Sequence, residues 1–229
     1  VSFTYVEVSG ELSATVPERD GKMHRMSIYA ADRSGNISRS SATIEGEEMS
    51  SVFEDTKGHW AEKEIGYLYD MGLINGISET SYAPDVSMTR EQFATVIARY
   101  LGIDLTEYES VSLDFADVDS IQGYALSAVK AVYSLGIIKG VPAGDEVYFQ
   151  PSEPISRAQA MTIIGRTLAL GYEQAEMNFT DSADVPDWAQ KYMSTLITMG
   201  VVSGYEDGSL KPNAVVTRAQ VAKMMALVY

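Results

Sequence analysis

The sequence predicts a mainly α-helical fold made of three copies of one helix–loop–helix unit, preceded by a short β-rich region. Three observations point there. An aromatic residue recurs every 64 positions, as Trp60, Tyr124 and Trp188. Each is followed by an apolar stripe at helical period, and each stripe leads to a second helix with the same N-terminal signature. Ahead of the first copy the apolar period falls to two, as in strands.

Residues 1–45 form the β-rich region. Phe3-Thr4-Tyr5-Val6-Glu7-Val8 alternates, as does part of the stretch from Met23 to Ala31, and a third run extends from Ile37 to Ile44. Asp20-Gly21 and Asp32-Arg33-Ser34-Gly35-Asn36 supply the turns. Three strands bury too little to make a sandwich alone. Residues 46–52, polar and acidic, read as a linker. The chain starts at Val1 without Met and shows no signal peptide, so we expect the C-terminal end of something longer.

The copies span residues 53–114, 115–178 and 179–229. Each opens with Phe-x-Asp, at Phe53/Asp55, Phe115/Asp117 and Phe179/Asp181. The first helix then carries Ala61, Ile65, Leu68 and Tyr69 on one face; the other copies place Ala125, Val129, Val132, Tyr133 and Ala189, Met193, Leu196, Ile197 at the same offsets. Gly72, Gly136 and Gly200 stand where a C-terminal cap needs positive φ. Gly76, Gly140 and Gly204 begin a loop that ends at Pro84, Pro151 and Pro212. The second helix starts at Thr89, Ser156 or Thr217, with Gln92, Gln159 or Gln220 three residues on, which is the capping box. Its apolar face is Phe93, Ile97, Tyr100 and Leu101 in copy one, and Val221, Met224, Met225 and Val228 in copy three. One such unit cannot bury its own faces, so the copies must pack together.

Composition excludes several functions. With 32 acidic and 17 basic residues the net charge is −15, which disfavours nucleic acid and anionic membrane surfaces. No apolar run approaches the roughly 18 residues that span a bilayer. The absence of cysteine removes disulfides and thiolate chemistry. No nucleophile sits near a base, no phosphate loop is present, and no spacing suits a metal. We therefore expect no enzyme, no cofactor and no catalytic or metal-binding residue. His59 stands alone, and the acid pairs Asp145/Glu146 and Glu206/Asp207 fall in turns where carboxylates are solvated rather than catalytic.

Phe-x-Asp, then His59-Trp60-Ala61 or Asp187-Trp188-Ala189, the paired glycines, Gly204-Tyr205-Glu206-Asp207-Gly208-Ser209-Leu210-Lys211-Pro212 and Thr217-Arg218-Ala219 together resemble the S-layer homology family, from Phe53 to Tyr229. The resemblance implies a pseudo-threefold bundle with grooves between neighbouring copies. It implies that those grooves hold a secondary cell-wall polysaccharide carrying a pyruvylated amino sugar, outside the cell, on the wall of a Gram-positive-type bacterium. The family motif Thr-Arg-Ala-Glu places its key arginine at Arg90, Arg157 and Arg218. In the β-rich region, Ile28-Tyr29-Ala30-Ala31-Asp32 with Gly35-Asn36 resembles the last hairpin of bacterial immunoglobulin-like modules. This chain departs from the family in five ways: Gln replaces the motif Glu in all copies, Glu91 replaces Ala in copy one, Tyr124 replaces Trp, the copy-two loop is three residues longer, and the copy-one loop, residues 76–82, lacks the usual Asp-Gly.

A candidate ligand-binding set follows. An Arg at the first helical position faces the positive end of the helix dipole, so Arg90, Arg157 and Arg218 need a carboxylate partner. Either Asp55, Asp117 and Asp181 or a ligand would supply it. A guanidinium fork matches a pyruvate carboxylate, and N–H groups at the helix start would add donors. Trp60, Tyr124 and Trp188 would stack on sugar rings or plug the core. Gly76, Gly140 and Gly204 would shape the loop and allow close approach of a ligand. The alternative function is a self-assembling repeat that contacts its neighbours in an S-layer lattice.

Overall fold

The computed structural model describes residues 2–6, 11–15, 24–31, 37–44, 52–168 and 176–229, the first four segments as backbone only. Among the described residues the N-terminal region has four strands where three were expected: β1 (Ser2–Val6), β2 (Glu11–Thr15), β3 (His24–Ala31) and β4 (Ile37–Ile44). β1 pairs antiparallel with β2, and β3 with β4 in the register His24↔Ile44 to Ala31↔Ile37. The missed strand, Glu-Leu-Ser-Ala-Thr, offers one large apolar residue and so no visible alternation. Both expected turns, the end of the first run and almost all of the linker lie outside the described residues.

From Phe53 onward the fold is helical. Each copy supplies two helices: α1 (Glu62–Asp70) and α2 (Arg90–Tyr100), α3 (Gly123–Ser134) and α4 (Arg157–Thr167), α5 (Asp187–Thr198) and α6 (Arg218–Val228). Among the described residues no helix is long and apolar enough to cross a membrane. The expected stripes are buried, apart from Tyr100, Leu101, Tyr133 and Ile197, which are half-buried against the core, and Tyr69 of α1, which lies towards solvent while Tyr67 is buried. Gly72, Gly136 and Gly200 have φ of 72°, 69° and 66°, as a left-handed cap requires. All three second helices begin with a complete capping box, Thr89 with Gln92, Ser156 with Gln159 and Thr217 with Gln220. The longer loop of copy two contains a small hairpin, β5 (Val141–Ala143) with β6 (Glu146–Tyr148), turned at Gly144.

The second helices are buried on nearly every side, so they are the inner layer. Each packs against the first helix of the next copy: α2 on α3, α4 on α5, and α6 back on α1. Backbone hydrogen bonds close the same circuit. Ile155 N–H donates to Met88 O (2.9 Å), Met88 N–H to Val216 O (3.0 Å) and Val216 N–H to Ile155 O (3.1 Å). The first two N–H groups of each second helix also bind the following copy: Arg90 and Glu91 bond Glu153 and Pro151, Arg157 and Ala158 bond Ala214 and Pro212, and Arg218 and Ala219 bond Val86 and Pro84. The capping hydroxyl takes the third. These are the donors expected to face a ligand; the neighbouring copy occupies them instead.

Candidate functional site

Two of the grooves left between copies are open cavities. The first, of about 440 Å³, is floored by residues 74–77 of the copy-one loop and walled by Gln92, Thr95 and Arg99 of α2. Arg218 of copy three and Tyr124 of copy two complete it. The second, of about 370 Å³, repeats the plan one copy on: Lys139, Gly140, Val141 and Pro142 from the loop, Gln159, Thr162 and Arg166 from α4, Arg90 of copy one and Trp188 of copy three. Both of these grooves thus draw on all three copies. Neither lining contains an Asp or Glu, although the whole chain carries a net −15.

The motif arginines sit at the bottom of this arrangement, 4% (Arg90), 7% (Arg157) and 6% (Arg218) exposed. Arg218 donates from Nε to Tyr82 O (2.7 Å) and from Nη2 to Asn75 O (2.8 Å), and its guanidinium lies 4.3 Å from the Tyr82 ring centre. Arg90 does the same to copy two, Nε to Phe149 O (2.7 Å) and Nη2 to Lys139 O (3.4 Å). Arg157 donates from Nη2 to Ser203 O (2.7 Å), but its buried Nε has no partner. Burial lowers the Arg90 pKa to about 10, against the upward pull of Asp117, so the group stays cationic at neutral pH.

Among the described residues no carboxylate forms an ion pair with these guanidiniums. The aspartates work one bond away. Asp55 accepts the N–H groups of Tyr82 (2.9 Å) and Ala83 (2.8 Å), Asp117 those of Phe149 and Gln150 (both 2.7 Å), and Asp181 those of Leu210 (2.7 Å) and Lys211 (2.8 Å). The peptide joining Tyr82 to Ala83 therefore receives Arg218 on its oxygen and offers its N–H to Asp55. The peptide joining Phe149 to Gln150 links Arg90 and Asp117 likewise. Ala83, Gln150 and Lys211 all have φ between 51° and 58°. That conformation is unfavourable for a non-glycine residue, and the carboxylate holds it.

The glycines also have structural partners. A Cβ on Gly76, Gly140 or Gly204 would stand 2.5, 2.8 or 2.4 Å from the ring of Phe53, Phe115 or Phe179. Each loop is therefore pressed onto the Phe of its own opening motif. The aromatics behave differently. Trp60, Tyr124 and Trp188 are 58%, 60% and 50% exposed, so they do not plug the core. Tyr124 Oη donates to Glu91 (3.0 Å), whose other oxygen accepts Gln122 N–H (3.0 Å). Two departures from the family pattern, Glu91 and Tyr124, are thus a single contact.

The structure adds groove residues that the repeat pattern had not singled out: Arg99 and Arg166, nine positions after Arg90 and Arg157. Nine residues turn a helix by half a revolution, so α2 and α4 each send their first Arg to one groove and their later Arg to another. Arg166 Nη1 bonds Ile137 O (3.1 Å) and lies over the Tyr192 ring.

A family model described as the S-layer homology domain matches residues 52–94, 114–161 and 178–222, more than half of the chain. The chain belongs to the S-layer homology family. It is 30% identical over 183 residues to an amylopullulanase of Thermoanaerobacterium thermosulfurigenes, covering 78% of this chain and 9% of that protein. Identity to an endoglucanase of Bacillus sp. is 31% over 209 residues (88% and 20%), and to a cellulosome-anchoring protein of Acetivibrio thermocellus 32% over 152 residues (65% and 33%). The S-layer homology chain spans at most a third of the length of these three relatives.

Proposed function

We propose that this chain is a non-enzymatic anchoring module. Its three repeats form a pseudo-threefold unit, and the grooves between copies hold an anionic, pyruvylated secondary cell-wall polysaccharide. The observation behind this is the convergence, in each open groove, of a loop from one copy, a buried Arg from another and an exposed aromatic ring from a third. Cations line both grooves of a strongly acidic chain, which suits a local anionic ligand. The closed circuit of hydrogen bonds from copy one to copy three and back supports the pseudo-threefold arrangement, and the β3–β4 hairpin supports an immunoglobulin-like module ahead of it. An amylopullulanase, an endoglucanase and a protein named for anchoring all match these repeats, over 9%, 20% and 33% of their own lengths. The repeats therefore attach a separate working domain to the outside of a Gram-positive-type wall.

The purified chain should sediment with Gram-positive wall sacculi and stay in solution when acid extraction has removed the secondary polymer. Equal sedimentation with stripped sacculi would rule the polysaccharide out.

A further inference from the structure

The three copies differ five residues after the motif arginine, at a position that lines both open grooves. Residue 95 of the first groove is a Thr whose hydroxyl donates to Glu91 O (3.0 Å). Residue 162 of the second is a Thr only 2% exposed, whose hydroxyl has no partner at all. Residue 223 of the third is a Lys, ion-paired to Glu64 of the facing helix α1. An unpaired buried hydroxyl is costly unless something supplies its hydrogen bond, and Thr162 lines an open cavity.

The cations differ too. Arg99 in the first groove is exposed, and Glu91 holds Tyr124 at the rim with a carboxylate. In the second, Arg166 is fixed by the Ile137 carbonyl and the Tyr192 ring, and Tyr192 reaches that place because Gly165 has no side chain: a Cβ there would lie 2.6 Å from the ring. Lys139 and Arg90 bring its cations to three. In the third, Leu227 stands where the second Arg would be, Tyr205 covers Arg157 at 5.2 Å and its hydroxyl engages Gln220, and the Lys223–Glu64 pair ties the two walls.

We propose that the groove between α4 and α5 is the principal anion-binding site, that Arg166 and Thr162 determine its specificity, and that the groove between α6 and α1 is closed to anionic ligands. This rests on the wall-binding reading above. Arg90 and Arg218, whose forks are turned to backbone carbonyls, set the shape of the floor; Arg166 is the fixed cation of the wall, free to meet a carboxylate beside a sugar ring laid against Trp188.

Titration of the whole chain with a monosaccharide bearing a pyruvate ketal, against the same sugar without the ketal, tests this. Arg166→Ala should weaken binding of the ketal sugar about ten- to hundredfold, with partial recovery in Arg166→Lys. Thr162→Val should weaken it about three- to tenfold. Lys223→Ala should change it by less than about twofold, since Lys223 is paired to Glu64 in the groove between α6 and α1 and not in the groove that Arg166 lines. Backbone amide resonances of Gly140 and Thr162 should move on titration while that of Gly204 stays still. Binding by Arg166→Ala within about twofold of wild type, or its loss in Lys223→Ala, overturns the assignment. If wild type binds sacculi and Arg166→Ala binds them equally, only the choice of groove falls. If wild type binds neither sacculi nor either sugar, the wall-binding reading falls and this inference with it.

Discussion

Replacing Arg218 with Ala removes the side chain that joins the last copy to the first. Two carbonyls, Tyr82 O and Asn75 O, lose a charged donor, and the Tyr82 ring loses the guanidinium above it. A hydrogen bond from a charged group contributes about 1.5–3 kcal/mol, so the substitution should destabilise by about 3–5 kcal/mol. That is a large part of the roughly 5–15 kcal/mol a folded chain possesses. For a protein of this size each kcal/mol moves the midpoint by about 2–4 °C, so calorimetry should record a fall of about 6–20 °C. Arg157 provides an internal control, because it makes one such bond and leaves its Nε unpaired. Its replacement should cost only about 1–3 kcal/mol. Should Arg157→Ala prove the more damaging, or should neither variant move the midpoint by more than about 2 °C, the buried forks are not what fastens copy to copy.

Acid should act through the aspartates. The amides of Leu210 and then Lys211 hold the Asp181 carboxyl below its ordinary range despite opposing burial, so its stabilisation is present above about pH 4 and lost as pH falls through its lowered folded value. Asp181→Asn should melt lower at pH 7 and show a flatter loss of stability below about pH 4; an unchanged acid limb would contradict the loop-holding role. In alkali, burial first and then the hydrogen bond and charge of Glu91 push the Tyr124 phenol up to about 12, against Arg218. Glu91→Gln should lower its ring-carbon titration, followed by NMR, while burial keeps it above the ordinary phenol value, and an unshifted curve would break the Glu91–Tyr124 link.

Local signals carried much of this fold. Thr89, Ser156 and Thr217, each with Gln three residues on, placed the second helices at their observed starts, because a capping box depends on neighbours in the chain. The stripes of α3, α5 and α6 were legible for the same reason. What was not legible depends on contacts far along the chain. Nothing near Arg218 in sequence points to the Tyr82 and Asn75 carbonyls, and only the circular order of the copies puts them within reach. The helix dipole called for a carboxylate beside each Arg; for Arg90 and Arg218 the structure provides a polarised peptide between the two. Arg99 and Arg166 did leave a trace, an Arg nine residues after the first in two copies and Leu227 in the third. Their significance needs the groove, because opposite faces of one helix line different clefts. Glu91 and Tyr124 looked like separate irregularities, and their contact joins two copies across 33 positions.

Because copy three hands its first-turn N–H groups and its guanidinium back to copy one, this module has no outer units. An open stack of repeats can lengthen or shorten one unit at a time, protected by specialised ends. Here a lost copy would strand unpaired donors on one side and carbonyls on the other, and a fourth would find no vacant seam. The number three is thereby written into the hydrogen bonding, and sequence drift within any one copy is constrained by the two that border it.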